Sequence, residues 1–482
     1  MSPAVPRRLL ASLLVLLVLG AAGWAGWRWL GGYVVGSVLR LAGASAIHWE
    51  RVAATPRHIE IDGLRFRLGP QAFAARRVTL QRERWWTASL GEVRVEGAST
   101  VVVLDGSDTN PWKWATYDDG GLGNEAVQLP FTSLDLDGEL VVRMAALPDQ
   151  VISLRLEGRP RSATSWIGSL VAEGPGFRLA GGGTLLRGGQ ELDFQVHSAL
   201  LDLAAWSSHL NRLIVLPGGP WELGGRLTGV AEGRVTARRF AATARVDLHD
   251  GRMRAGARDV EAGGVEARLE FSDLWKYRTR TGTFRMDTLR VGRLVLRDAA
   301  GGLGLWGARQ VSVDGATFSA LGGRVRMEPF KCFLDQREVV GSLQVEGLDL
   351  GQVLALTEGV GGFATGRVDG ALRVRIQSDG ARIDTGELTL TPGVPAALQA
   401  DAFAVLRTGA AMDDASRALL RELRGAPLRL RLDTLRLDIR PEGLPLGTSA
   451  RLGVAGLTPE GAAAGFVLTV NGSLERFLHI LP

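Results

Sequence analysis

From Ile59 almost to the end of the chain, apolar and charged residues alternate with a period of two. Ile59-Glu60-Ile61, Leu64-Arg65-Phe66-Arg67-Leu68, Val265-Glu266-Ala267-Arg268-Leu269 and Leu428-Arg429-Leu430-Arg431-Leu432 are examples. Successive side chains of an extended strand point to opposite sides, so each run has one apolar face to bury and one polar face to wet. The class is therefore mainly β. A hydrophobic content of 46% is enough for a folded chain, and 64 glycines supply many places where the backbone turns or bends. The runs follow no fixed period, so this is a meander and not a strict solenoid.

Many runs meet at Asp-Gly or Glu-Gly: Asp62-Gly63, Glu96-Gly97, Asp137-Gly138, Glu157-Gly158, Asp250-Gly251, Asp314-Gly315, Glu346-Gly347, Asp369-Gly370 and Asp379-Gly380. Such pairs tolerate φ > 0, so they predict tight hairpin turns. Three short helices are predicted, Leu203 to Ile214 after a cap at Asp202, Leu350 to Leu356 after Asp349, and Asp414 to Leu423 after Asp413. Tyr33 to Leu41 also has helical spacing, and Asp105 to Asn124 reads as a loop. Alternation sustained this long has two outcomes. The apolar face closes into a sandwich with a filled core, or a long sheet curls around a groove that stays open; the residues favour neither.

The strands follow an uncharged run from Leu9 to Trp27, preceded by Arg7 and Arg8 and flanked by Trp24, Trp27, Trp29 and Tyr33. Nineteen uncharged, mostly apolar residues suffice to span a bilayer as a helix, and aromatic rings suit its boundary. A cleaved signal peptide is the alternative, but its apolar core is usually shorter. The two arginines predict a cytoplasmic N-terminus with the bulk of the chain across the membrane. The lone Cys332 forms no internal disulfide, and the net charge of +5 is scattered along alternating strands. That scatter lacks the concentrated basic stripe of a nucleic-acid binder.

Catalytic motifs are missing. Gly302-Leu303-Gly304-Leu305-Trp306-Gly307 matches GxGxxG, but a strand pattern follows it where a dinucleotide site needs a helix, so it reads as a glycine-rich hairpin. No Walker A loop or GxSxG elbow is present, and the six histidines lack metal-ligand spacing. The oxygen-rich Asp105 to Asn110 has no closing glutamate for a calcium loop. The expectation is a non-enzyme without cofactor, metal or nucleic-acid partner.

A C-terminal order of elements carries a family resemblance. Val345 to Leu356 leads into Ala364-Thr365-Gly366-Arg367-Val368-Asp369-Gly370, a strand, and then Ile383-Asp384-Thr385-Gly386-Glu387-Leu388. The predicted helix Asp414 to Leu423, paired strands Leu428 to Leu432 and Leu435 to Ile439, and a closing strand from Gly465 follow. Over Val339 to Leu481 this resembles the YdbH family of AsmA-like envelope proteins, once labelled a dicarboxylate transport domain. The resemblance implies an inner-membrane anchor, a long, curled antiparallel β-sheet in the periplasm, and phospholipid transport between inner and outer membranes with acyl chains in the groove. It divides the chain into a cytoplasmic tail (1–8), a transmembrane helix (9–30), a juxtamembrane linker (31–56), an AsmA-like region (57–338) and a YdbH-type domain (339–482). The expected lining of the lipid groove is Leu428, Leu430, Leu432, Leu435, Leu437 and Ile439. An outer-membrane or periplasmic protein partner is implied. The alternative is an outer-membrane assembly scaffold that carries no lipid.

Overall fold

The computed structural model describes residues 36–37, 39–40, 44–55, 57–68, 71–81, 90–104, 131–162, 164–186, 191–213, 220–236, 239–255, 259–307, 310–333, 338–355, 362–377, 380–401, 411–412, 414, 427–441 and 448–472. Strands hold 82% of them, so the alternation is realised as β-structure nearly throughout. Among the described residues no helix is long and apolar enough to cross a membrane. The run Leu9 to Trp27 lies outside the described residues, as does the predicted helix Asp414 to Leu423 apart from Asp414. The chain forms two compact units, Met1–Leu201 with Gly229–Ala242, and Asp202–Thr228 with Thr243–Pro482.

In the first unit, Ala44–His48 and Arg51–Ala54 pair with the two halves of His58–Leu68. That strand corrects an expectation: Asp62-Gly63 is not a hairpin turn but a point inside one strand. Gly63 takes φ 65° where the neighbouring strand changes, and the Glu50 side chain fills the space a Cβ would occupy. Gln71–Gln81 and Leu90–Leu104 follow in antiparallel order. Leu90–Leu104 then pairs in parallel with Phe131–Met144, a departure from the all-antiparallel sheet expected. A parallel pair needs a crossover, and 105–130 is long enough to supply one. Gln150–Ser162, Ser165–Gly174, Phe177–Leu186 and Glu191–Asp202 return to antiparallel order. Ile59, Ile61, Leu64, Val78, Leu80 and Val93 are buried at the start of this unit, with Trp49 and Phe66 packed on them.

The second unit is an antiparallel meander from the strand Arg239–Ala255 to Ala463–Gly472. Two of the predicted helices are present. Leu203–Leu213 is capped by Asp202, whose Oδ1 accepts the Ala204 N–H at 2.9 Å. Leu350–Ala355 is capped in the same way, from Gln352 N–H to Asp349 Oδ1 at 3.0 Å. The glycine-rich hairpin also forms: Leu294–Leu305 pairs antiparallel with Gln310–Ala320.

Eight of the nine acid-glycine pairs lie within strands; of the ninth, Gly380 opens the strand Gly380–Leu390 and Asp379 lies outside the described residues. Several are bulges. Glu346-Gly347 sits where Val345↔Gly370 passes to Leu348↔Val368, three residues against two, with Gly347 at φ 64°. The same φ > 0 that suits a two-residue turn also suits the extra residue of a bulge, which bends and twists a strand without ending it. The true turns use other residues, such as Pro175-Gly176 and Leu321-Gly322.

The segments Leu428 to Leu432 and Leu435 to Ile439, expected as two paired strands, are one strand, Pro427–Pro441. Their leucines change parity between 432 and 435. A register shift between Leu432↔Gly456 and Thr434↔Ala455 absorbs the extra residue and keeps both sets on one face.

Candidate functional site

Following register from strand to strand in the second unit traces one apolar row. It runs Leu248–Ala267–Phe284–Gly301–Ala316–Met327–Leu343–Leu372–Gly386–Ile439–Ala450. Directly paired residues project to the same side of a sheet, so eleven strands share an apolar face without one polar interruption along this row. At about 4.8 Å per strand the row is roughly 50 Å long. Its glycines are seats for neighbouring side chains. A Cβ on Gly301 would lie 2.9 Å from the Phe284 ring, and one on Gly386 would meet Leu372. The first unit carries shorter rows of the same kind, Leu136–Leu156–Leu170–Gly181–Val196 and Gly138–Leu154–Ala172–Leu179–Ala199.

Burial changes along the face. In the early strands Leu248, Ala267, Leu269, Phe284 and Met286 are only half-buried, as are Leu136, Leu154, Leu156 and Leu170 in the first unit. Further on, the face is closed. Of the six residues expected to line a groove, Leu428, Leu430, Leu432, Leu435 and Ile439 are 2–7% exposed, while Leu437 is half-buried. Leu428, Leu430, Leu432 and Leu435 belong to a core with Val345, Val368, Leu388, Leu398, Val454 and Phe466, and Leu350 of the short helix joins it. Ile439 packs with Ala450. All six lie on the one apolar face, at its filled end.

The opposite face is ionic. Arg268 Nε bonds Asp247 Oδ1 at 2.6 Å, Arg245 meets Glu270 at 3.3 Å, and in the first unit Arg234 bonds Asp193 at 2.6 Å. The carboxylate bonds raise the proton affinities of Arg268 and Arg234 still further. Exposed pairs of this kind add little stability but keep that side wetted. Among the described residues no three His, Cys, Asp or Glu side chains group as metal ligands would. Cys332 is half-buried opposite Val311, and desolvation pushes its thiol up from the ordinary value. Since the thiolate is the nucleophile, iodoacetamide at pH 8 is expected to alkylate Cys332 more slowly than free cysteine. An equal or faster rate, read by mass spectrometry, would contradict that burial.

A family model described as YdbH-like, intermembrane phospholipid transport protein YdbH, matches residues 102–394. The chain belongs to the YdbH-like family. The match takes in the half-buried stretches around Leu154 and Phe284 and ends before the strand Pro427–Pro441. It overlaps the stretch that carried the resemblance only over 339–394. No curated protein and no solved structure is significantly similar to the chain. The YdbH-like family is one of lipid transport proteins and not of enzymes.

Proposed function

We propose that this YdbH-like protein conducts phospholipid between membranes by seating acyl chains on the half-buried rows. The observation that carries the reading is the row from Leu248 to Ala450, apolar at every step and half-covered over its first four strands. Each buried CH₂ is worth about 0.8 kcal/mol, so a face of Leu, Val, Ala and Phe holds a chain without a specific pocket. Uniform, repeated contacts also let it move on. The run Leu9 to Trp27 would anchor the chain in the inner membrane as a single span with a cytoplasmic N-terminus, the strands then standing in the periplasm, and a partner there or in the outer membrane would complete the route. The face bearing Leu428 to Ile439 continues the same rows, and it would join the conduit only if its core parted.

A photo-crosslinking amino acid placed in the full-length protein in cells tests this. At Leu154 or Phe284 it is expected to capture phospholipid, and at the outer-face positions Glu157 or Arg268 to capture none. Absence of lipid adducts at both inner positions would overturn the reading and favour the scaffold. The filled end of the face is the one observation on that alternative's side.

A further inference from the structure

On the wetted side of the second unit, opposite the filled core, the sheet carries a cavity of about 550 Å³. Two lines of register build it. Phe363, Gln399 and Arg429 lie side by side on the strands Gly362–Thr365, Ala396–Asp401 and Pro427–Pro441, and Ala397, Arg431 and Leu457 form the next line. Leu398 and Leu430, between these lines, point the other way into the core. Pairing of Thr448–Leu457 with Pro427–Pro441 starts only at Arg431, and past Leu457 the chain leaves in a turn. That turn is a fixed wall: Thr458 N–H donates to the Ala462 carbonyl and Gly461 N–H to the Thr458 carbonyl, both at 2.9 Å. Phe363, 65% exposed, stands at the other side. The cavity is basic. Arg429 and Arg431 line it, no carboxylate does, and neither guanidinium has an ion pair among the described residues. The first unit shows what satisfies such arginines on this kind of face. Glu60 and Asp62, alternate residues of one strand, both reach Arg77, at 2.8 and 3.1 Å, and Glu191 and Asp193 both reach Arg234, at 2.8 and 2.6 Å.

We infer that this cavity receives an extended, acidic segment of a partner protein, with carboxylates two residues apart on Arg429 and Arg431 and an apolar side chain against Phe363. The inference goes beyond lipid conduction and does not depend on it. Arg429 and Arg431 are alternate residues of a strand, so they project to one side about 7 Å apart, which is also the spacing of alternate side chains in an extended segment laid alongside. Arginine holds a carboxylate through charge-assisted, often paired, hydrogen bonds, which fixes register as well as adding energy. Arginines beside an exposed aromatic ring are the residue types that most often carry binding energy at protein interfaces. The volume lies within the roughly 300–1,000 Å³ of ligand sites, more than a lone anion needs. A second copy of this chain fits less well, since its acid pairs at 60–62 and 191–193 already hold arginines of their own chain.

The test uses the full-length protein in cells, with a photo-crosslinking residue at Gln399, between Phe363 and Arg429. It is expected to give a protein adduct whose crosslinked peptide, mapped by mass spectrometry, carries Asp or Glu at alternate positions. Arg429→Glu with Arg431→Glu should lower that adduct about tenfold or more, since like charges then face one another. Phe363→Ala, on a separate strand, should lower it as well. All three side chains are exposed, so both variants should fold. Absence of a protein adduct, a lipid adduct in its place, or a crosslinked peptide from a second copy of this chain each overturns the inference. An adduct that lacks the acidic pattern, or that is indifferent to charge reversal, overturns it too.

Discussion

Leu430→Glu is expected to unfold the C-terminal part of the second unit. Leu430 is 2% exposed within the core that joins Leu398, Leu428, Leu432, Val454 and Phe466. Removing a buried leucine side chain alone costs about 2–5 kcal/mol. A carboxylate put in its place has no cation facing it inside that cluster, because Arg429 and Arg431 point to the other side of the strand, and burying it unpaired adds several kcal/mol. The sum is comparable to the roughly 5–15 kcal/mol that holds a whole domain together. Leu430→Met, which conserves volume, should cost under about 1.5 kcal/mol. Hydrogen exchange of the amides in Pro427–Pro441 reads both variants. Protection in Leu430→Glu equal to that of the unmodified chain would show that this end of the face has room for water or lipid after all.

How much of this was visible beforehand depends on what each signal encodes. Alternation reports only that a strand has two unlike faces, so the β class and individual strands such as Gln310–Ala320 were legible. The two caps were legible too, because Asp202 and Asp349 act on the next few residues. Asp-Gly misled, because turns and bulges draw on the same backbone conformation, and only the partner strand decides between them. The parity change from Leu432 to Leu435 is the kind of mark that could have exposed the bulge in Pro427–Pro441. The parallel pairing of Leu90–Leu104 with Phe131–Met144 has no local signature, since it depends on where a long connection delivers the chain. Filled and open faces look identical in one dimension. Leu430 and Leu269 sit in the same Leu-Arg or Leu-Glu alternation, yet Leu430 has Phe466 and Val454 in its core while Leu269 stays half-exposed. The family was legible too, because the motifs from Val345 to Leu388 lie inside the matched residues 102–394, although the match begins far upstream of them and ends before the elements from Asp414 to Leu481.

Met286→Glu should have the complementary outcome, in which the protein folds and the cargo is lost. Met286 pairs with Val265 and Ala299 on the apolar face of the second unit but is only half-buried, so a glutamate there can keep its carboxylate in water when no lipid is present. The cost to folding should stay within the roughly 0.5–3 kcal/mol of ordinary substitutions. With an acyl chain on the row the same carboxylate must lose its water, at a cost of several kcal/mol, and each ~1.4 kcal/mol lowers occupancy tenfold. Phospholipid captured by a crosslinker at Phe284 should therefore fall by on the order of tenfold or more. Met286→Leu, apolar and of similar volume, should retain it. Unchanged capture in Met286→Glu would mean that the row does not carry the chains. Loss of capture together with unfolding would mean that this stretch is filled like the one around Leu430. Folding kept in one variant and lost in the other is the outcome that makes a single continuous face both a scaffold at its end and a track along its middle.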